Sequence, residues 1–166
     1  MRVVVLSDTH MPRMAKQFPA ILREHLHTAD LIIHAGDFQT MEVVRELQKY
    51  AKIAGVAGNV DSSEVAEALG DKKIIECEGY RIGIVHGHGK GRTTEERVLN
   101  SFEGEDLDCI IFGHSHIPVN KMVNKTLLFN PGSPTDKRRQ NQYSFGVLEF
   151  HPALSARLIM FDSKQP

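Results

Sequence analysis

Over the first two thirds of the chain, short apolar runs alternate with longer stretches whose apolar residues recur at helical spacing. Residues 2–6 are a β-branched run, the pattern of a strand covered on both faces. Residues 16–26 carry Phe18, Ile21, Leu22 and Leu26 near helical spacing and predict a helix. Residues 31–35 predict a second buried strand, residues 41–50 a helix with Val43, Val44 and Leu47 on one face, and residues 53–57 a third strand. Ser62 or Ser63 is placed to cap a helix running to Leu69, with Gly70 just past its end. Residues 73–77 and 80–85 flank Glu78-Gly79 as a hairpin. Thr93 or Thr94 can cap a helix through Phe102, and residues 107–112 predict a further buried strand.

Beyond Pro118 the pattern changes to strands separated by turns, at residues 119–123, 126–130, 143–150 and 156–161, with Asn124-Lys125 the tightest turn. Alternating strand and helix followed by a mostly antiparallel tail predicts an α/β fold of two packed sheets with helices outside. The 166 residues suffice for one domain, 1–166, with a substantial core. A formal charge of -1 supplies no global basic field, which disfavours nucleic acid as a partner. Cys77 and Cys109 sit inside apolar runs and are expected to be buried, reduced thiols. The opening run Val3-Val4-Val5-Leu6 stops before Asp8, too short for a signal-peptide core or a membrane span, so a cytoplasmic protein is expected. Exposed edges of the late strands could pair two copies into a homo-oligomer.

The chemistry lies where the runs end. Five of them finish in residues able to hold a metal: Asp8 and His10, Asp37, Asn59, His86, then His114 and His116. In extended chain, residues two apart share a side, so His114 and His116 are expected to reach one locus. Sites in open α/β sheets gather at the carboxyl ends of strands. Carboxylate, imidazole and amide donors without thiolate suit manganese, iron, nickel or zinc. Seven donors are too many for one tetrahedral ion but suit two ions sharing a bridging carboxylate. The residual positive charge of such a pair favours a phosphate and the charge that develops on it during displacement.

Asp8-Thr9-His10, Gly36-Asp37, Gly58-Asn59-Val60-Asp61, His86-Gly87-His88, Gly113-His114-Ser115-His116 and Asn130-Pro131-Gly132-Ser133 resemble, in this order, the motifs of the calcineurin-like metallophosphoesterases. Within that family the chain resembles the small bacterial and archaeal phosphodiesterases of the YfcE and YsnB type. The resemblance implies a four-layer α/β-β/α sandwich of two mixed sheets flanked by helices. It implies that Asp8, His10 and His116 hold a first divalent ion, that Asn59, His86 and His114 hold a second, and that Asp37 bridges both. It also implies hydrolysis of a small phosphate ester, a diester above all, through a hydroxide activated by the metal pair. Two other readings remain: a nuclease, and a non-catalytic interaction scaffold of the same fold.

One position departs from the family. Many members carry histidine after Gly-Asn, where this chain has Val60, which cannot move a proton. Catalysis is then expected to favour leaving groups that need little protonation. His88 could contact substrate or donate a proton, although a loop histidine at the rim is the preferred reading. Asp61 could orient Asn59 or cap the following helix. His34 reads as a satisfied core residue, and His25, His27 and His151 as surface groups. The Gly87–Arg92 stretch lacks phosphate-loop spacing. Lys90, Arg92 and the Lys137-Arg138-Arg139 run could assist an anionic substrate, but solvated loops are the preferred reading.

Overall fold

The computed structural model describes residues 1–166. Chain order gives β1 (Val3–Leu6), α1 (Ala20–Leu26), β2 (Leu31–His34), α2 (Met41–Gln48), β3 (Lys52–Gly55), α3 (Ser63–Leu69), β4 (Lys72–Cys77) and β5 (Tyr80–Val85). There follow α4 (Thr94–Ser101), β6 (Cys109–Ile111), β7 (Val119–Val123), β8 (Thr126–Asn130), β9 (Tyr143–Glu149) and β10 (Ser155–Phe161). Two mixed sheets result, ordered β10-β9-β1-β2-β3 and β4-β5-β6-β8-β7.

Period-2 alternation assigns each strand residue to a layer. Val3, Val5 and Ile33 of the first sheet meet Ile82, Ile84, Ile111 and Phe129 of the second in the core between the sheets. The alternate residues Val4, Leu6 and Ile32 face Leu22, Leu26, Val44, Leu47 and Val65 of the helices over the first sheet. On the other side, Ile110 and Leu128 pack with Val98 of α4. The expected four layers are therefore present, and each is stabilised mainly by buried apolar area.

Several local expectations are corrected. The first helix starts at Ala20, not at residue 16, because Pro19 sits at its N-cap and a proline drives the preceding residue out of helical backbone. The third strand is Lys52–Gly55, earlier than predicted, and only Cys109–Ile111 of the 107–112 run is paired. The late strands are mostly antiparallel, as expected, and divide between the two sheets, β7 pairing antiparallel with β8. β9 and β10 join the first sheet, with β9 antiparallel to β1, while β8 runs parallel to β6 in the second. Both cysteines are free and buried, and no helix is long and apolar enough to cross a membrane.

The topology matters for function because β1, β2 and β3 run parallel, as do β5 and β6. The loops leaving their carboxyl ends carry every residue of the candidate site.

Candidate metal centre

Each candidate residue lies just past a strand, in a loop that no longer has strand backbone. Asp8, His10, Asp37, His114 and His116 all have φ between 44° and 69°. This left-handed conformation is uncommon for non-glycine residues and persists only where surrounding contacts enforce it. It removes the extended backbone on which the shared facing of His114 and His116 was expected. The two imidazoles have different neighbours within the cluster. His116 stacks on His10 with ring centroids 5.2 Å apart, whereas His114 stands edge-on to His86 at 5.2 Å.

Asp8 is the centre of the cluster. Its side chain is fully buried, and its Oδ2 accepts hydrogen bonds from the Ser7 hydroxyl (2.8 Å) and the His114 N–H (3.0 Å). Its Oδ1 faces His116 Nε2 at 3.4 Å, His10 Nε2 at 3.7 Å and His86 Nε2 at 3.8 Å. Asp37 divides its oxygens in the same way. Oδ1 accepts from the Val60 N–H (3.0 Å), while Oδ2 lies 3.0 Å from His86 Nε2 and 3.6 Å from His10 Nε2. Two groups able to hold an ion result, Asp8 with His10 and His116, and Asp8 with Asp37 and His86.

The imidazoles are aimed by their far nitrogens. His86 Nδ1–H donates to Ala35 O (2.8 Å), and His116 Nδ1–H donates to Asp136 O (2.6 Å). A carbonyl can only accept, so each ring keeps its Nε2 lone pair for the centre. Burial works to raise the pKa of Asp8, but His10, His86, His116 and Ser7 overcome it and hold the carboxyl at about 2. Burial likewise opposes ionisation of Asp37, yet His86 and the Val60 N–H keep its pKa below the usual value. For His86, burial disfavours the proton and the two carboxylates more than compensate, raising its pKa.

Asp8 Oδ1, His10 Nε2, His86 Nε2 and His116 Nε2 are buried without any hydrogen-bond partner. Buried polar atoms are rarely left so, and each costs about 1–3 kcal/mol of lost solvation. Donor-free oxygen and nitrogen lone pairs converging from three loops are what a divalent cation satisfies. The residues present fit a metal.

The remaining candidates lie around this core. His114 is half-buried, with burial and then His86 lowering its pKa. His88 is exposed, its ring 5.5 Å from His86 and 6.4 Å from His114. Asn59 is exposed, and its side chain is joined to the other candidates by no hydrogen bond; the loop bearing it wraps Asp37 through Val60 N. Asp61 takes neither role expected of it. Its carboxylate accepts from the N–H groups of Asp37 (2.9 Å), Gln39 (2.7 Å) and Gly58 (2.7 Å), so it ties two loops together, and Ser62 caps α3. His34 is the core residue expected. Its Nδ1 accepts from Gly36 N–H, its Nε2 faces Thr9 Oγ1, it stacks on Phe38, and burial lowers its pKa to about 3.

Sequence reasoning missed the clamp behind the first loop. Ser133 Oγ donates to Asp8 O (2.7 Å), Thr135 Oγ1 donates to Thr9 O (2.6 Å), and Asp136 supplies the carbonyl for His116. Only the Asn130-Pro131-Gly132-Ser133 motif pointed there, and spacing alone could not show that this turn folds back on residue 8.

Close packing also explains two glycines. A Cβ at Gly113 would overlap Ser7 Oγ and lie 2.6 Å from Asp8 Oδ2, and one at Gly58 would overlap Asp37 Oδ1. Gly113→Ala is expected to destabilise the fold by about 1–3 kcal/mol, the range for overpacking, and to weaken divalent-ion binding. Urea denaturation and metal titration of the variant check both; wild-type values in both would refute the packing argument.

A sandwich of two mixed sheets with buried carboxylates and histidines gathered at strand ends is the metallophosphoesterase fold. The calcineurin-like phosphoesterase superfamily domain matches residues 1–152, and the chain belongs to that family. It is 35% identical over 162 residues to a probable metallophosphoesterase of Methanocaldococcus jannaschii, covering 96% of this chain and 81% of that protein. It is 29% identical over 147 residues to a phosphodiesterase of the same organism, covering 80% of this chain and 83% of the other. Among solved structures, Vps29 of Chaetomium thermophilum superposes with a TM-score of 0.79 at 16% identity, covering 99% of both chains, a likeness of fold alone.

Proposed function

We propose that this protein is a phosphodiesterase that hydrolyses a small phosphate ester with a pair of divalent ions, manganese first among candidates that include nickel, iron and zinc. The observation that carries this reading is the convergence of four unpartnered buried atoms, on Asp8, His10, His86 and His116, at the carboxyl ends of parallel strands. Asp8, His10 and His116 would hold one ion, Asn59, His86 and His114 the other, with Asp37 between them. Such ions supply an ionised water as nucleophile at neutral pH and positive charge for phosphate oxygens.

The chain's own residues have distinct tasks. Asp61 and Ser133 fix the loops on which Asp37 and Asp8 stand. Ala35 O and Asp136 O hold the imidazole protons away from the centre. Val60, exposed beside Asp37, offers no proton to a leaving group. His88 is close enough to the histidine cluster to touch substrate.

A Vps29-like, non-catalytic scaffold is the competing reading. Every position of the proposed ligand set keeps a donor side chain, which favours catalysis. Turnover of bis(p-nitrophenyl) phosphate that requires a divalent ion is the direct test; no turnover with any of the four metals would refute the proposal. With Val60 in place of a proton donor, the rate should fall steeply as the leaving-group pKa rises across a series of diesters. Val60→His should flatten that slope. A flat slope in the unsubstituted protein would show that another residue protonates the leaving group.

A further inference from the structure

The loop that follows the clamp carries Arg138 and Arg139 at the two central positions of a turn closed by Gln140 N–H to Lys137 O (2.9 Å). Lys137 is spent on the loop itself, its Nζ 4.9 Å from the centroid of the Tyr143 ring. The two arginines are exposed, and neither side chain has an ion-pair or hydrogen-bond partner. They line a cavity of about 360 Å³ with Lys137, Gln140, Ser115 and Ile117. Ser115 lies between His114 and His116, and Asp136, the residue before Lys137, is bonded to His116. The cavity therefore lies against the two chain segments that carry His114, His116 and the carbonyl bonded to His116.

Arg138 is held at φ 48°, where glycine or asparagine would sit with less strain. A strained, unpaired arginine at a turn tip beside a reaction centre is better explained by a ligand than by the fold. Guanidinium groups match phosphate oxygens bidentately.

We infer that this groove binds a second, non-reacting phosphate of the substrate, so that the preferred substrate is a small diester bearing an additional phosphate group. The assignment rests on the phosphodiesterase reading above. A small ester is favoured over a polynucleotide because the groove is one compact cavity on a chain of net charge -1.

The test compares the p-nitrophenyl ester of thymidine 5′-phosphate with the same ester phosphorylated at the 3′ oxygen. The 3′-phosphorylated ester should show a KM about tenfold lower, the fold-change of one charge-assisted bond. Arg138→Gly with Arg139→Ala should erase that difference and leave kcat and the KM of the plain ester unchanged. Arg138→Gly should melt no lower than the unsubstituted protein, which separates lost binding from lost folding. Equal KM values in the unsubstituted protein, or a preference that survives the double substitution, overturn the inference while leaving the phosphodiesterase reading intact. If neither ester is hydrolysed, calorimetric binding of thymidine 3′,5′-bisphosphate to the unsubstituted and doubly substituted proteins decides the groove alone: tighter binding that needs the arginines supports it, and equal binding overturns it. Faster cleavage of an oligonucleotide than of the phosphorylated ester overturns the assignment to a small ester.

Discussion

Asp8→Asn should lower turnover of a model diester by about three orders of magnitude or more, since members of one catalytic unit fail together when one is lost. The reason is how its two oxygens are committed. Oδ2 accepts from Ser7 and from the His114 N–H, while Oδ1 is the unpartnered atom among three Nε2 nitrogens. An amide in this place has no good orientation. With its NH2 toward His114 it sets a donor against a donor, and with its NH2 toward the histidines it offers a cation no lone pair. Asp37→Asn meets the same dilemma between the Val60 N–H and the pair His10 and His86. Asp61→Asn is a graded comparison, because its carboxylate bonds only backbone N–H groups and acts on Asp37 through the loop. The measurement is kcat at saturating manganese, with circular dichroism to verify folding. A folded Asp8→Asn protein with undiminished kcat would remove Asp8 from the centre and end the proposed mechanism.

The layers and the order of strands and helices were legible because they depend on short-range pattern. Runs such as Val3 to Leu6 or Cys109 to Ile111 alternate in facing, and a buried β-branched run has few alternatives. Strand partners were not legible, because register between β9 and β1 joins residues more than a hundred apart. Spacing could name the candidate residues, but their division between two ions came only from the family resemblance. Spacing places His114 and His116 together only while the chain stays extended, and the left-handed backbone at both positions sends one ring to His10 and the other to His86. Half of the ten non-glycine residues with positive φ are in the proposed ligand set, which identifies the site as the place where tertiary contacts override local preference. The supporting residues were hidden for a related reason. Ser133 and Asp136 act through a hydroxyl and a carbonyl on a loop 125 positions from Asp8, and no periodicity records such a contact.

The unpartnered atoms also make a thermal prediction. Without a cation, Asp8 Oδ1 and three Nε2 nitrogens are removed from water with no hydrogen-bond partner. A bound ion returns those interactions only in the folded state, because the unfolded chain scatters the donors over more than a hundred residues. At one hundred times its dissociation constant, a single ion adds about 2.7 kcal/mol, which for a chain of this size corresponds to a rise in Tm of about 5–10 °C. Chelation should reverse the rise. The effect should be smaller at pH 6 than at pH 8, since a proton and the ion compete for His86 Nε2 and neighbouring carboxylates raise the pKa of that ring. His116→Ala should abolish most of the gain by opening the group of Asp8, His10 and His116. Calorimetric scans of metal-free protein with manganese, nickel, iron and zinc in turn measure all of this. A Tm that ignores every one of these ions would mean that the buried cluster is not built around these cations.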